Sequence, residues 1–461
     1  MSEALIVSVS GLRGIVGETL TPEVAARYAL SFAATLPPGP IVVGRDGRES
    51  GPVLLKRIAD ALTTAGRDVI DCGIAATPTV GIVVRGERAA GGIQISASHN
   101  PARYNGMKLF ASEGRVLTKE AGSRVLARFE ADAAAPVASR RGVVRRVDGT
   151  DEHVRRVAAT VDVPRIRERR PHVWIDSCHG AGGVGAKKLL ETLGCRVTHV
   201  GDVPDGRFEH EPEPTAANLA SLLPEIRASG ADVGFFQDPD ADRLAIATAD
   251  GTYIGEEATL ALCVAHALPK RPGPVVVNCS TSGMTATIAR SLGRDCRVSA
   301  VGEANVVDAM LGCKAAIGGE GNGGVIDPEV VLVRDSLVAM AILLDAMCAT
   351  DPMTPLATLA GRLPRMTMHK TKVEVSPELH GARLAAALDA IAAAFPDATA
   401  SRLDGLRLDW PGSWALVRAS NTEPIVRIVA EAADAEAAEA ICRQVAEKVL
   451  TNKPTERSHE F

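Results

Sequence analysis

The sequence predicts an α/β protein: three related mixed α/β domains in series, followed by a C-terminal α+β domain. The first observation is a repeated plan of apolar strand, small-residue loop, amphipathic helix and second strand. It runs from PIVVGRDGRES through LLKRIADALTTAG to RDVIDCG, from HVWIDSCHGAGG through GAKKLLETLG to CRVTHVG, and from GPVVVNCSTSG through ATIARSLG to CRVSAVG. Val- and Ile-rich runs suit strands buried on both faces, and the intervening helices have the length of crossovers. Any βαβ units share this outline, so triplication and coincidence both fit the letters. The second observation is a different C-terminal pattern, in which the helices GARLAAALDAIAAAF and AEAAEAICRQVAEKVL bracket the strand pair WALVRAS and PIVRIVAE. The third is length, since 461 residues exceed what one core can serve. Joints fall near residues 150, 255 and 366, giving domains 1–150, 151–255, 256–365 and 366–461. Segment 131–142 reads as a surface connection.

Composition excludes several functions. Hydrophobic residues make up 46% and charged residues 23%, as in ordinary globular chains. Aromatics at 3% and a net charge of −5 offer neither a stacking surface nor a basic footprint for nucleic acid or anionic lipid. An anionic substrate must therefore meet a local positive pocket. The nine cysteines are scattered without a CxxC pair, as expected of reduced, mostly buried thiols. The start MSEALIVSVSGLRG lacks a signal-peptide pattern, and no apolar run approaches a membrane span of roughly 20 residues. A cytoplasmic protein without membrane or nucleic-acid partners is expected, and its oligomeric state is left open.

Residues 92–108 read GIQISASHNPARYNGMK. An apolar strand delivers Ser98, His99 and Asn100 into a turn closed by Pro101, one way to present a nucleophilic hydroxyl. Taken alone, SASHNP reads equally as a turn whose Ser and Asn bond their own backbone. It is not the G-x-S-x-G elbow of acyl hydrolases.

Residues 238–243 read DPDADR. Three carboxylates at alternating positions, kept out of helix by Pro239, can converge on one hard cation through oxygen ligands. Without a cation, three like charges so close repel. The alternative is a solvated acidic turn; the apolar run DVGFFQ before it and Arg243 after it favour a loop at a strand end.

GGEGNGG at 318–324 places Glu320 in a Gly-rich turn that allows close backbone approach to a ligand, although a bare turn would read the same. RASNTEPIVR at 418–427 flanks Ser420, Asn421 and Thr422 with Arg418 and Arg427. Two planar cations with short donors between them can surround a phosphate dianion, and S-N-T-E-P also reads as a helix cap or turn.

These strings, in this order, resemble the signatures of the α-D-phosphohexomutase family. SASHNP with YNGMK resembles its phosphoserine segment, SGLRG its G-x-R-G segment, DPDADR its metal loop, GGEGNGG and VGEAN (301–305) its sugar loops, and RASNTEP its phosphate loop. Pro239 replaces the commoner glycine without removing a ligand, and Asn322 stands where serine is more usual. GRDGRESG and ATPT match the family's first domain and read as structural.

The resemblance implies four domains around a central cleft, each giving one loop. It implies that Ser98 is the phosphorylated serine, with His99 beside it, Arg13 on the catalytic phosphate and Lys108 a candidate acid/base. That last role requires burial or neighbouring positive charge to lower the lysine's pKa. Asp238, Asp240 and Asp242 would hold one Mg²⁺ with a phosphoserine oxygen as fourth ligand, and Arg243 would bind near the same phosphate. Gly302, Glu303, Glu320 and Asn322 would grip the sugar, and Arg418, Ser420, Asn421, Thr422 and Arg427 its other phosphate. The implied reaction interconverts hexose 6-phosphate and hexose 1-phosphate through a bound bisphosphate, with a sugar 1,6-bisphosphate as activator. The loops look closest to the phosphoglucosamine mutase branch, with phosphoglucomutase/phosphomannomutase as the alternative. A phosphoserine-dependent phosphatase would not need an intact RASNTEP loop. A non-catalytic sugar-phosphate sensor would be expected to have lost a serine or aspartate.

Overall fold

The computed structural model describes residues 5–132, 138–375, 381–419 and 425–451. Each predicted βαβ unit forms a parallel pair: Ile41–Arg45 with Val69–Ile74, His172–Asp176 with Arg196–Val200, and Val275–Asn278 with Cys296–Ser299. Each first strand also accepts a third, parallel strand on its other side: Gly91–Ile95, Val233–Gln237 and Ile317–Glu320. Every third strand then turns back through a hairpin into an antiparallel fourth: Tyr104–Ala111, Leu244–Thr248 and Gly324–Ile326. The spatial order fourth–third–first–second is therefore the same in all three sheets. Shared topology of this kind goes beyond the generic βαβ outline and supports triplication. The first sheet is extended at one edge by Ile6–Ser8 and Gly11–Ile15, and at the other by Val144–Arg146. Part of the predicted surface connection at 131–142 lies outside the described residues; just beyond it the chain forms this edge strand rather than remaining irregular.

The three units share a core. One apolar cluster contains Val42 and Ile70 of the first sheet, Val173 and Phe235 of the second, and Val275 and Ile317 of the third. At its centre lies the helix Ser336–Met347 (SLVAMAILLDAM), buried at every residue, as an all-round apolar helix must be. The C-terminal unit has a separate core and is the expected α+β type, but richer in strands than the predicted pair. Its antiparallel sheet runs Thr367–Glu374, Ile425–Ala432, Ser413–Ala419, Leu406–Trp410 and Thr399–Ser401, with the helices Gly381–Ala393 and Ala435–Thr451. Thr367–Glu374 is mostly polar and Thr399–Ser401 spans three residues, so period-two patterning marks them poorly, whereas Leu406–Trp410 (LRLDW) does alternate. A small apolar patch of Cys279, Trp414 and Leu416 joins this unit to the third sheet. No helix among the described residues is long and apolar enough to cross a membrane.

Candidate active site

The Ser98, aspartate and Glu320 segments are the same loop in three copies, the hairpin between the third and fourth strands of each sheet. In the first hairpin, Ser98 has φ 50°. Such a conformation costs a non-glycine residue about 1–3 kcal/mol, so it needs enforcement. Arg48, 2% exposed, supplies it. Its guanidinium donates to the carbonyls of Ser98 (2.7 Å), Asn100 (2.6 Å), Pro101 (2.8 Å) and Tyr104 (2.9 Å), and its Nε to Asp46 Oδ2 (3.0 Å). Hydrogen bonds from a charged group contribute about 1.5–3 kcal/mol each, which outweighs the strain of the loop. Ser96 Oγ donates to Asp46 and accepts from the Ser98 amide. The Ser98 hydroxyl donates to Asp238 Oδ2 at 2.7 Å and lies 3.3 Å from His99 Nδ1. Burial, then Arg243 and Arg13, push the His99 pKa down to about 3, so the ring is neutral near pH 7. Arg13 Nη1 donates to Asn100 Oδ1 at 2.7 Å, which sets the arginine beside the serine loop.

In the second hairpin, Asp238, Asp240 and Asp242 are fully buried, and one oxygen from each lies within 4.8 Å of the others. The turn is pinned by the amides of Asp242 and Arg243 on Asp238 Oδ1, and by the Ser336 hydroxyl on the Ala241 carbonyl. The first unit reaches across to it, since the Thr77 amide and hydroxyl donate to the Asp240 carbonyl and Oδ2. Burial, then Asp240 and Asp242, hold the Asp238 carboxyl well above the usual range. Asp240 Oδ1 and Asp242 Oδ1 are buried without a hydrogen-bond partner. Buried carboxylate oxygens do not normally go unsatisfied. Two such atoms within a three-carboxylate cluster are what an oxygen-seeking cation would complete. The residues present fit a divalent metal, and among the described residues no other such cluster occurs.

Lys108 Nζ donates to Asp242 Oδ2 at 2.6 Å and Asp240 Oδ2 at 3.3 Å. Burial favours its neutral form, but Asp240, Asp242 and Glu303 outweigh burial and hold its pKa above the ordinary lysine value. The lowering that base catalysis requires is thus absent in this arrangement; carboxylates surround the amine where neighbouring cations were needed. Arg243, mostly buried, lies with its Nε 3.7 Å from Asp242 Oδ1.

A buried chain of charge continues to the third hairpin. Arg334 donates to Asp242 Oδ2 (2.6 Å) and to Glu320 Oε2 (2.7 Å). Glu320 Oε1 accepts from Asn278 Nδ2 (2.7 Å) and the Gly302 amide (3.1 Å), which ties the two predicted sugar loops together. Glu303 points inward, its Oε1 accepting from the Arg334 amide at 2.9 Å. Asn322 Oδ1 is buried and unpartnered. Glu320 and Asn322 line a cavity of ≈ 740 Å³ between the third and C-terminal units, with Arg418, Arg427, Lys370 and Lys372 on its far side. Lys372, Arg427 and Arg418 are direct partners across three neighbouring strands. Arg418 Nε meets Asp404 Oδ2 at 3.0 Å, and that oxygen also accepts from the Val301 amide. Ser420, Asn421 and Thr422 lie outside the described residues.

Comparison with known proteins decides the family. Four domain models match in series: phosphoglucomutase/phosphomannomutase α/β/α domains I (residues 5–135), II (151–251) and III (256–366), and the C-terminal domain (371–448). The chain belongs to the α-D-phosphohexomutase family. It is 36% identical over 439 residues to the phosphoglucomutase/phosphomannomutase of Thermococcus kodakarensis, covering 93% of this chain and 94% of that protein. It is 33% identical over 432 residues to a Methanopyrus kandleri protein named "probable phosphoglucosamine mutase", with the same coverage. Among solved structures, a phosphoglucomutase/phosphomannomutase family protein from Burkholderia thailandensis superposes with a TM-score of 0.84 at 27% identity, covering 98% of this chain and 99% of that one. The protein is an enzyme with phosphohexomutase activity.

In this phosphohexomutase, Ser98, Asp238, Asp240 and Asp242 form a buried cluster joined by the partly buried His99, Lys108 and Arg243, while Arg13 reaches it through Asn100. Glu320, Asn322, Arg418 and Arg427 meet around the cavity. Gly302 and Glu303 serve it from behind, the one bonded to Glu320 and the other to Arg334. Sequence reasoning missed Arg334, Asn278, Lys370 and Lys372. Arg334 had a signal, a lone cation inside the apolar stretch VIDPEVVLVRDSLVAM. The lysines had none, since alternating Lys is ordinary on an edge strand.

Proposed function

We propose that the enzyme interconverts hexose 6-phosphate and hexose 1-phosphate through phosphorylated Ser98 and a bound sugar bisphosphate. The observation that carries this reading is the Ser98 hydroxyl resting on a buried aspartate cluster that is joined by ion pairs to a cation-lined cavity. Transfer breaks the Ser98 Oγ–P bond and forms a bond from phosphorus to a sugar hydroxyl, whose proton leaves to a nearby group; the neutral His99 ring can accept it, whereas Lys108, protonated in this arrangement, can act only as a donor. After the sugar reverses its orientation, the opposite phosphate returns to Ser98. Asp238, Asp240 and Asp242 would hold Mg²⁺, which neutralises charge on a transferring phosphoryl group. Arg13 and Arg243 orient that phosphoryl group. The cations Lys372, Arg427 and Arg418, brought side by side on the cavity wall by sheet register, support a bound dianion there, the phosphate not being transferred.

This assignment predicts that Arg418→Ala or Arg427→Ala raises KM for the sugar phosphate by about tenfold or more, the value of one charge-assisted hydrogen bond. Because remote binding energy supports the reacting centre, kcat falls as well and bisphosphate escapes. Product analysis checks it: the native enzyme should isomerise with little free phosphate. Stoichiometric phosphate release would instead identify a phosphatase.

For the sugar, we propose glucosamine 6-phosphate, supported by the likeness of the sugar loops to that branch and by the acceptor Asn322 in place of a hydroxyl. A second reading, glucose or mannose phosphate, is favoured by the pairing of Glu320 with Arg334, which neutralises the carboxylate that would attract an amino group. Parallel kcat/KM measurements on glucosamine, glucose and mannose 6-phosphates decide between them. The first reading expects glucosamine 6-phosphate at least equal to glucose 6-phosphate, with Glu320→Gln impairing all sugars and the amino sugar most. A nearly inert glucosamine phosphate selects the second.

A further inference from the structure

We infer that Arg334 is a positioning residue of this active site, a strut that holds the metal loop and the sugar loop at one mutual spacing. The inference rests on the proposed function for what each loop does, but its geometry stands apart from it. Arg334 belongs to neither hairpin. It precedes the buried helix Ser336–Met347 by two residues, and its neighbours anchor it there. Asp335 caps that helix, accepting from the Leu337 amide at 2.9 Å, and its other oxygen meets His153 Nε2 at 2.7 Å. His153 Nδ1 in turn meets Thr79 Oγ1 at 2.8 Å, so the first unit helps hold the segment. Ser336 Oγ bonds the Ala241 carbonyl inside the metal loop. From this rigid base one guanidinium reaches forward to the metal loop and the Glu320 loop by hydrogen bonds, and its Nε lies 3.6 Å from Glu303 Oε2.

The contacts divide the carboxylate oxygens by task. Arg334 and Lys108 both donate to Asp242 Oδ2, leaving Asp242 Oδ1 without a hydrogen-bond partner in the aspartate cluster, with only Arg243 Nε at 3.7 Å. Arg334 also donates to Glu320 Oε2, so that Oε1 is left to bind Asn278 and the Gly302 amide beside the cavity. A guanidinium can do this because its planar fork presents donors in fixed, divergent directions. A lysine ammonium is a point charge and cannot span both carboxylates in the same geometry. Residues that hold metal-ligating carboxylates through their outer oxygens typically change metal affinity or activity by about 10–100-fold when altered. Here one residue does this for the metal loop and for a sugar-facing glutamate at once.

The test is Arg334→Lys in the full-length enzyme, which keeps the charge and removes the fork. Three quantities are measured: melting temperature, Mn²⁺ affinity by electron paramagnetic resonance, and glucose 6-phosphate affinity by calorimetry, all at a temperature where the variant is folded. The expected result is a folded protein with Mn²⁺ and sugar-phosphate affinities each weakened by about tenfold or more. Native affinities for both, or a loss confined to one, would overturn the strut. If Arg334→Lys does not fold, the double variant Arg334→Gln/Glu320→Gln restores charge balance and should still bind Mn²⁺ about tenfold more weakly; native Mn²⁺ affinity in it overturns the inference. A native enzyme that binds Mn²⁺ but isomerises no hexose phosphate would sink the proposed function while leaving the Mn²⁺ arm decisive for Arg334.

Discussion

Ser98→Ala should carry no phosphate and should lose at least about 10³-fold in mutase turnover, equivalent to ~4 kcal/mol of barrier. The substitution removes the only oxygen on which the proposed reaction can store the phosphoryl group between the two transfers. It should not unfold the loop, because the Arg48 clamp grips backbone carbonyls that alanine retains. Intact-mass and peptide measurements should find one phosphate on the segment 92–108 of the active native enzyme and none on the variant. A fully active, phosphate-free variant would end the phosphoserine mechanism.

Asp240→Asn should bind Mg²⁺ far more weakly and lower kcat by on the order of 10³-fold, since a metal ion contributes several kcal/mol of charge stabilisation in phosphoryl transfer. Its fold should survive, because the Thr77 amide holds the Asp240 carbonyl, which asparagine keeps, and an amide oxygen in place of Oδ2 can still accept from the Thr77 hydroxyl and Lys108. The Oδ1 atom of Asp240 has no hydrogen-bond partner, so the amide would remove a ligand charge without breaking a bond at that atom. Titration calorimetry with Mg²⁺ measures the affinity directly. Chelation should silence the native enzyme and added Mg²⁺ restore it; activity that persists through exhaustive chelation would show that the aspartates are not ligands.

Much of this architecture was legible in the letters, for identifiable reasons. The βαβ units stand out because strands buried on both faces must be almost continuously apolar and crossover helices must be amphipathic. The site loops stand out because each packs scarce chemistry into a few neighbouring residues: a serine beside histidine, three alternating aspartates, two arginines around a polar turn. The first-unit strings GRDGRESG and ATPT, read as structural, do behave so, in Arg48 and Thr77. The protonation of Lys108 was not legible, because it depends on carboxylates more than a hundred residues away.

What the sequence by itself determined was the inventory: the fold class, the repeated units, the family and the loops able to carry the chemistry. These are local properties, written in periodicity and in short motifs. Tertiary structure alone decided that the three motifs are one hairpin in three copies, since strand order depends on pairings far apart in the chain. It also decided which charges meet. Lys372, Arg427 and Arg418 become neighbours only through sheet register, and Arg334 becomes the link between Asp242 and Glu320 only because the helix it precedes is buried between the second and third units. Ion pairing falls off over a few ångströms in space and is indifferent to distance along the chain, so no motif could have announced it.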